Sequence, residues 1–300
     1  MKKNKLKKIT KLFLLLFLTT IFISCQKEVD DFDNIVNPPA VINDSIYLDK
    51  IYVVNAGAVI DTQGIYSFTY DVQKRITGWI LTDVATGPYI SYTYYYNGTD
   101  TVPFKSLFID YDSPIPDTTI TFHSYDANGR NLQDSSYSVF PSMSNSIIST
   151  YKYSYAPGKR YCDGKIENFQ PTSIISLYRD TATLDASGNI LTCIRYTDAI
   201  SGTMELFSNA NYTYDNKATP FARQNIFRAH QNFISNEEIL LYEYMPYNQM
   251  LSYQETFVLA GTTPINGNFS VIYNSNNLPV KSTQVEGTQT SILQYTYKPL

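Results

Sequence analysis

The residues of this chain that are able to do acid–base, thiol or metal chemistry are few and loosely spaced. Of the two histidines, His230 has no cysteine, histidine or carboxylate at ligand spacing, and His123 stands where other copies of a repeated motif carry an aromatic residue. A surface position for His230 and a strand position for His123 are the simplest readings. Zinc-ligand, EF-hand and phosphate-loop spacings are absent from the sequence, as is the Gly-x-Ser-x-Gly turn that exposes a nucleophilic serine. Carboxylates remain, and two suffice for glycoside hydrolysis. Asp110 and Asp112 flank Tyr111, so strand alternation would set both on one face as an acid pair. They also stand beside Pro114 and Pro116, where solvated acids at a hairpin end are routine. Glu237 and Glu238 open a strand-like run. None of these sets demands catalysis; they imply a chain that is not an enzyme and uses no cofactor and no metal.

Binding is the other chemistry to weigh. Exposed rings among the 27 tyrosines would stack on sugars, and a surface protein could use them so. Rings at a fixed phase in every unit are also what builds the core face of a sheet, and the single Trp79 is read the same way.

Whatever the function, the elements that hold these residues repeat. Phe68-Thr69-Tyr70-Asp71, His123-Ser124-Tyr125-Asp126 and Tyr212-Thr213-Tyr214-Asp215 are the clearest copies. Weaker ones fall in step, so that turns open at 71, 97, 126, 156, 185, 215, 245 and 274, with steps of 26 to 30 residues. A fixed period of this length marks a repeat architecture. Ahead of most turns, residues alternate with period two, as in Tyr151-Lys152-Tyr153-Ser154-Tyr155. In Asp126-Ala127-Asn128-Gly129 the aspartate accepts from a nearby backbone amide, and glycine takes positive φ without a steric cost. A second set of turns falls half a period away, at Thr86-Gly87-Pro88, Ser113 to Pro116, Ser142 to Asn145, Ser201-Gly202, Asn266-Gly267 and Glu286-Gly287. Each unit therefore holds two strands joined by short turns, which pair antiparallel. The expected fold is all-β: an antiparallel meander of about eight β-hairpin repeats forming a wide, strongly curled sheet or barrel-like shell. Residues 219–234, beginning Thr219-Pro220, break the alternation and predict a short helix or ordered insertion.

The N-terminus reads as an address. Six lysines precede an apolar run from Leu12 to Ile23, too short to cross a bilayer as a helix. Ser24 then precedes Cys25. Residues 1–24 are expected to be a lipoprotein signal peptide, 25–44 a lipidated cysteine and flexible tether, and 45–300 the β domain. Without residues 1–24 the chain carries 17 basic against 27 acidic residues, a net charge near −10, which argues against a nucleic-acid partner. Cys162 and Cys193 remain, either as a disulfide or as small apolar residues inside a sheet.

Phe22-Ile23-Ser24-Cys25 resembles a bacterial lipoprotein box, with phenylalanine where leucine is usual. Gln26-Lys27-Glu28 with Asp30-Asp31 resembles the acidic export signal that follows the lipidated cysteine in Bacteroidetes surface lipoproteins. Tyr125-Asp126-Ala127-Asn128-Gly129-Arg130 is similar to the tyrosine–aspartate (YD) repeat of Rhs-type proteins. The whole chain resembles the YD-repeat-like lipoproteins common in Bacteroidetes. That resemblance implies a lipid anchor at Cys25 and an outer-membrane location, facing the cell surface or the periplasm. It further implies a β-hairpin scaffold without an appended toxin. Three functions follow as expectations: a non-enzymatic scaffold or interaction module, a glycan-binding protein of a nutrient-uptake system, and, third, a carboxylate-dependent hydrolase.

Overall fold

A computed structural model describes residues 46–55, 61–170, 173–198, 203–221, 248–258 and 263–300. The first eight strands are β1 (Ile46–Asn55), β2 (Asp61–Tyr70), β3 (Ile76–Asp83), β4 (Gly87–Tyr95), β5 (Lys105–Asp110), β6 (Asp117–Tyr125), β7 (Asn131–Phe140) and β8 (Asn145–Ala156). The second eight are β9 (Lys159–Asn168), β10 (Ser173–Leu184), β11 (Ile190–Asp198), β12 (Glu205–Ala218), β13 (Asn248–Phe257), β14 (Ile265–Tyr273), β15 (Pro279–Glu286) and β16 (Gln289–Pro299). Each pairs antiparallel with its sequence neighbours, and β1 pairs with β16, so the sixteen strands close into a barrel. The curled meander expected from the repeat is thus a closed barrel. Closure leaves no unpaired edge, which is how a sheet this wide avoids templating aggregation.

The count of eight hairpins agrees because two departures cancel. β1 and β2 precede the first tyrosine–aspartate turn and add a hairpin, while the span from 215 to 245 contributes no described strand pair between β12 and β13. The copy at Tyr242 to Met245 and most of the expected insertion at 219–234 lie outside the described residues. Asn266-Gly267, expected as a turn, is instead inside β14. The glycine is there because the Tyr253 ring lies across it: a Cβ on Gly267 would meet Tyr253 Cε1 at 2.0 Å.

Turn chemistry fixes one end of the barrel. Asp126 Oδ1 accepts from the backbone N–H of Asn128 at 2.9 Å and of Arg130 at 2.8 Å, and Oδ2 accepts from Arg130 Nε at 2.6 Å. Asp71 does the same with Gln73 and Arg75, and Asp185 with Ser187 and Asn189. Asn274 reproduces the backbone half of the pattern with Asn276 and Leu278. Three residues after each of these openers the chain turns left-handed, at Lys74, Gly129, Gly188 and Asn277. The adjoining tyrosines lock this rim. Their hydroxyls donate to backbone carbonyls of the preceding hairpin: Tyr70 to Leu48 at 2.7 Å, Tyr125 to Pro103 at 2.8 Å, Tyr155 to Asn131 at 3.0 Å and Tyr214 to Ile190 at 2.9 Å. β1 begins and β16 ends at this tyrosine rim; the half-period turns form the opposite rim.

The two faces of the sheet differ. Register places Ile51, Tyr66, Leu81 and Ile90 in one inward row, with Phe68, Trp79, Tyr92 and Tyr94 beside it. These residues form the main apolar core, on the inner face of β1 to β4, and Trp79 stacks on Tyr92 at 5.0 Å between ring centroids. Phe221, beyond β12, packs against Phe68 from within. Burying such a side chain contributes roughly 1.5–3 kcal/mol.

Outward positions are largely polar. Lys152, Asp163, Lys165 and Arg179 point outward from β8 to β10, and Arg179 Nε donates to Asp163 at 2.8 Å in full exposure to solvent. On β12 to β14 the outward residues include Asn209, Asn211, Gln254, Asn266 and Asn268. A membrane-spanning barrel needs an outward apolar band about 25 Å tall, and an outward Lys or Arg at its midplane costs roughly 2–4 kcal/mol. This outer face carries no such band among the described residues. Leu107, Ile120, Tyr137 and Ile148 form one outward apolar row across β5 to β8, and it is not continued around the barrel.

Candidate functional site

Inside the barrel the lining changes from aromatic to polar between β4 and β6. Opposite Tyr94 on β4 stands Ser106 on β5, and register continues that row through Thr121 and Ser136 to Ser149 on β8. Four hydroxyl side chains thus cross four strands, with Thr121 Oγ1 and Ser136 Oγ 2.8 Å apart. One inward row nearer the tyrosine rim, His123 on β6 faces Asp134 on β7.

These residues form a directed chain of hydrogen bonds. Ser106 Oγ lies 3.0 Å from His123 Nε2, and His123 Nδ1 lies 2.6 Å from Asp134 Oδ1. A carboxylate is only an acceptor, so a proton on Nδ1 sits between the ring and Asp134, and in a neutral ring Nε2 is then left to accept from the serine. Asp134 is held in turn: Asn131 Nδ2 donates to Oδ1 at 2.8 Å and the Tyr153 hydroxyl donates to Oδ2 at 3.1 Å. The set is buried, with Asp134 and Asn131 at 0% exposure, Ser106 at 3% and His123 at 8%. Strand alternation explains the convergence. Ser106, His123 and Asp134 sit on three consecutive strands with their side chains on the same face, and the turn 126–130 fixes the hairpin that opposes the last two. His123 therefore does fill an inward strand position, as the repeat implied. Its partners were not legible, because Ser106 and Asp134 belong to no motif and meet it only through register.

A second buried polar cluster lies on β9 to β11. Arg195 Nε donates to Asp180 Oδ1 at 3.2 Å, and both side chains are about 10% exposed. Burial pushes the Asp180 carboxyl up despite the opposing pull of Arg195. Arg160, also buried, has its guanidinium over the Tyr153 ring. Cys162 and Cys193 flank this cluster as free, buried thiols. Cys162 pairs across β9–β10 with Asp180, and Cys193 pairs across β10–β11 with Ala182, so a whole strand separates them. Two strand spacings amount to about 10 Å, beyond the reach of a disulfide. Burial, then the Asp180 carboxylate, push each thiol up to about 12, which leaves both protonated and inert near neutral pH.

The carboxylates singled out in the sequence do not converge. β5 ends at Asp110, so Asp112 lies in the following turn and is exposed. Asp110 Oδ1 accepts the backbone N–H of Asp112 at 2.9 Å, a turn-closing bond. Alternation stops at the end of the strand, and the one-face placement stops with it. Cys25, His230, Glu237 and Glu238 lie outside the described residues. Trp79 is 3% exposed within the apolar core, and its Nε1 donates to the Tyr94 hydroxyl at 3.2 Å.

Known structures share this architecture. A porin-like protein from Bacteroides vulgatus ATCC 8482 superposes with a TM-score of 0.53 at 10% sequence identity, over 86% of this chain and 100% of that one. A porin-like protein from Bacteroides uniformis ATCC 8492 matches at a TM-score of 0.47 and 13% identity, over 87% of this chain and 99% of that one. The first likeness defines the class of fold, a closed antiparallel β-barrel. No family model matches the sequence, and no curated protein does.

Proposed function

We propose that this chain is a lipid-tethered lipoprotein of the outer membrane, whose water-facing barrel acts as a scaffold or interaction module of the YD-repeat-like type. The observation that carries the reading is the outer face, with Lys152, Asp163, Lys165 and Arg179 pointing outward from mid-sheet. A barrel so covered does not sit in lipid, so the attachment falls to the N-terminal signal and Cys25. Acyl chains contribute roughly 0.8 kcal/mol per buried methylene and anchor a soluble domain stably when several are present.

The described chain enters the barrel at the tyrosine rim, and the half-period rim lies at the other end. That rim carries two aromatic pairs, Tyr137 with Phe169 at 5.3 Å and Phe207 with Phe257 at 5.6 Å between ring centroids. Tyr137 and Phe169 are 38% and 42% exposed, and they support the second reading, a glycan-binding surface protein of an uptake system.

Cys25→Ser is expected to move the protein from the membrane pellet to the soluble fraction without detergent; retention in the pellet would refute the tether. Protease shaving of intact cells then separates surface display from a periplasmic orientation. For the glycan reading, saturable binding on a glycan array that falls at least tenfold in Tyr137→Ala supports it, and its absence leaves the scaffold reading.

A further inference from the structure

We propose that Ser106 is an activated nucleophile, with His123 as its base and Asp134 as the residue that orients and charges the base. The proposal is independent of the tether and of the glycan reading. It departs from the non-enzymatic expectation, which rested on sequence motifs that a convergent triad does not need. Such triads are recognised by geometry and roles, not by sequence order.

Three observations carry it. The contacts run in the required order: Ser106 Oγ to His123 Nε2 at 3.0 Å, His123 Nδ1 to Asp134 Oδ1 at 2.6 Å. Asp134 is itself fixed by Asn131 and Tyr153, both buried, so the imidazole is held against rotation. The serine heads a row of hydroxyls, Thr121, Ser136 and Ser149, that are only partly buried, and the next inward row toward the half-period rim is Phe108, Thr119, Ser138 and Ile147. A hydroxyl-lined wall of the inner face thus begins at Ser106. The other buried ion pair described on the strands, Asp180–Arg195, neutralises itself and contains no nucleophile.

The chemistry is acyl transfer from a small ester of a polar alcohol, matched to that wall. Ser106 Oγ attacks the carbonyl carbon while its proton passes to His123 Nε2, and Asp134 stabilises the imidazolium through Nδ1–H. Collapse of the tetrahedral species breaks the carbon–oxygen bond to the alcohol, which leaves with the proton from Nε2. Water then attacks the acyl-serine, returns a proton through His123 and releases the carboxylic acid. Ser106 is restored, and no other reactant is consumed.

Diisopropyl fluorophosphate on the full mature protein tests this, because the adduct forms without turnover. Peptide mass mapping is expected to find one diisopropylphosphorylated residue, Ser106, with labelling absent in Ser106→Ala and slowed at least about 100-fold in His123→Gln. Asp134→Asn should slow labelling and alter its pH profile, a change that a purely structural hydrogen bond would not produce. Circular dichroism confirms the barrel in each variant, and mapping on the unmutated protein stands even where a variant fails to fold. An unmodified Ser106 in folded, unmutated protein overturns the proposal, as does labelling at an unchanged rate in a folded His123→Gln variant.

Discussion

Tyrosine and phenylalanine are interchangeable as ring fillers, yet the repeat carries tyrosine ahead of its turns, and the hydroxyls explain the choice. Tyr70, Tyr125, Tyr155 and Tyr214 each donate to a carbonyl more than twenty residues back, stitching one hairpin to the one before. Tyr155 illustrates the cost of losing one. Its partner is the carbonyl of Asn131, a residue with no exposure, and burial outweighs the opposing Arg160 and Arg130 charges to push the phenol up to about 12, so it remains a donor at neutral pH. Tyr155→Phe removes that hydrogen bond and is expected to lower stability by about 0.5–1.5 kcal/mol in urea unfolding, with little change in the m-value. At this scale the sequence showed the rings, their phase and the strand position of His123. It did not show Ser106 or Asp134, since nothing in a serine or an aspartate of a strand says which residue will lie diagonally across a register.

The tyrosine–aspartate turn is the element that recurs, and it was largely readable. Asp126 and Asp71 each accept two backbone N–H groups and an arginine Nε, and the left-handed residue follows three places on. Partial burial raises both carboxyls, but the backbone and guanidinium donors of Arg130 and Arg75 outweigh it, and both are held below the usual carboxylate range. A depressed folded value means the stabilisation is present above the unfolded value near 4 and is lost as pH falls through the folded one. The melting temperature should therefore hold from neutral pH down to about 5 and fall below about 4, and Asp126→Asn should flatten part of that fall in a pH series of thermal melts. Asn266-Gly267 shows where turn reading fails. Glycine was taken for chain reversal, whereas its role is to let Tyr253, one strand away, lie flat across β14.

At the scale of the molecule, closure by β1 and β16 is the decisive contact. It joins residues more than 240 positions apart, as in Ile51 opposite Tyr295, and brings Leu293, Tyr295 and Tyr297 into the core of β1 and β2. Removing β16 would strip those three partly buried side chains, worth at most about 9 kcal/mol together, and expose two unpaired edges. That loss is comparable to the whole stability of a domain, so a chain ending at residue 288 is expected to aggregate or remain unfolded by size exclusion and circular dichroism. The same scale assigns the two faces of the sheet. The share of apolar residues in the sequence does not tell a lipid-facing barrel from a water-facing one, and only the assignment of faces does.

The sequence by itself determined the local facts: strands of alternating tyrosine, the turn chemistry that ends them and the meander that short turns compel. Each depends on residues within a few positions of one another, so period and composition are enough. The tertiary structure decided that the sheet closes, that the rings of β1 to β4 pack inward, that Cys162 and Cys193 stand a strand apart, and that Ser106, His123 and Asp134 meet. Those outcomes depend on register, where a slip of one residue turns a side chain to the other face of the sheet. No local pattern records that choice, and the candidate chemistry of this protein rests on it.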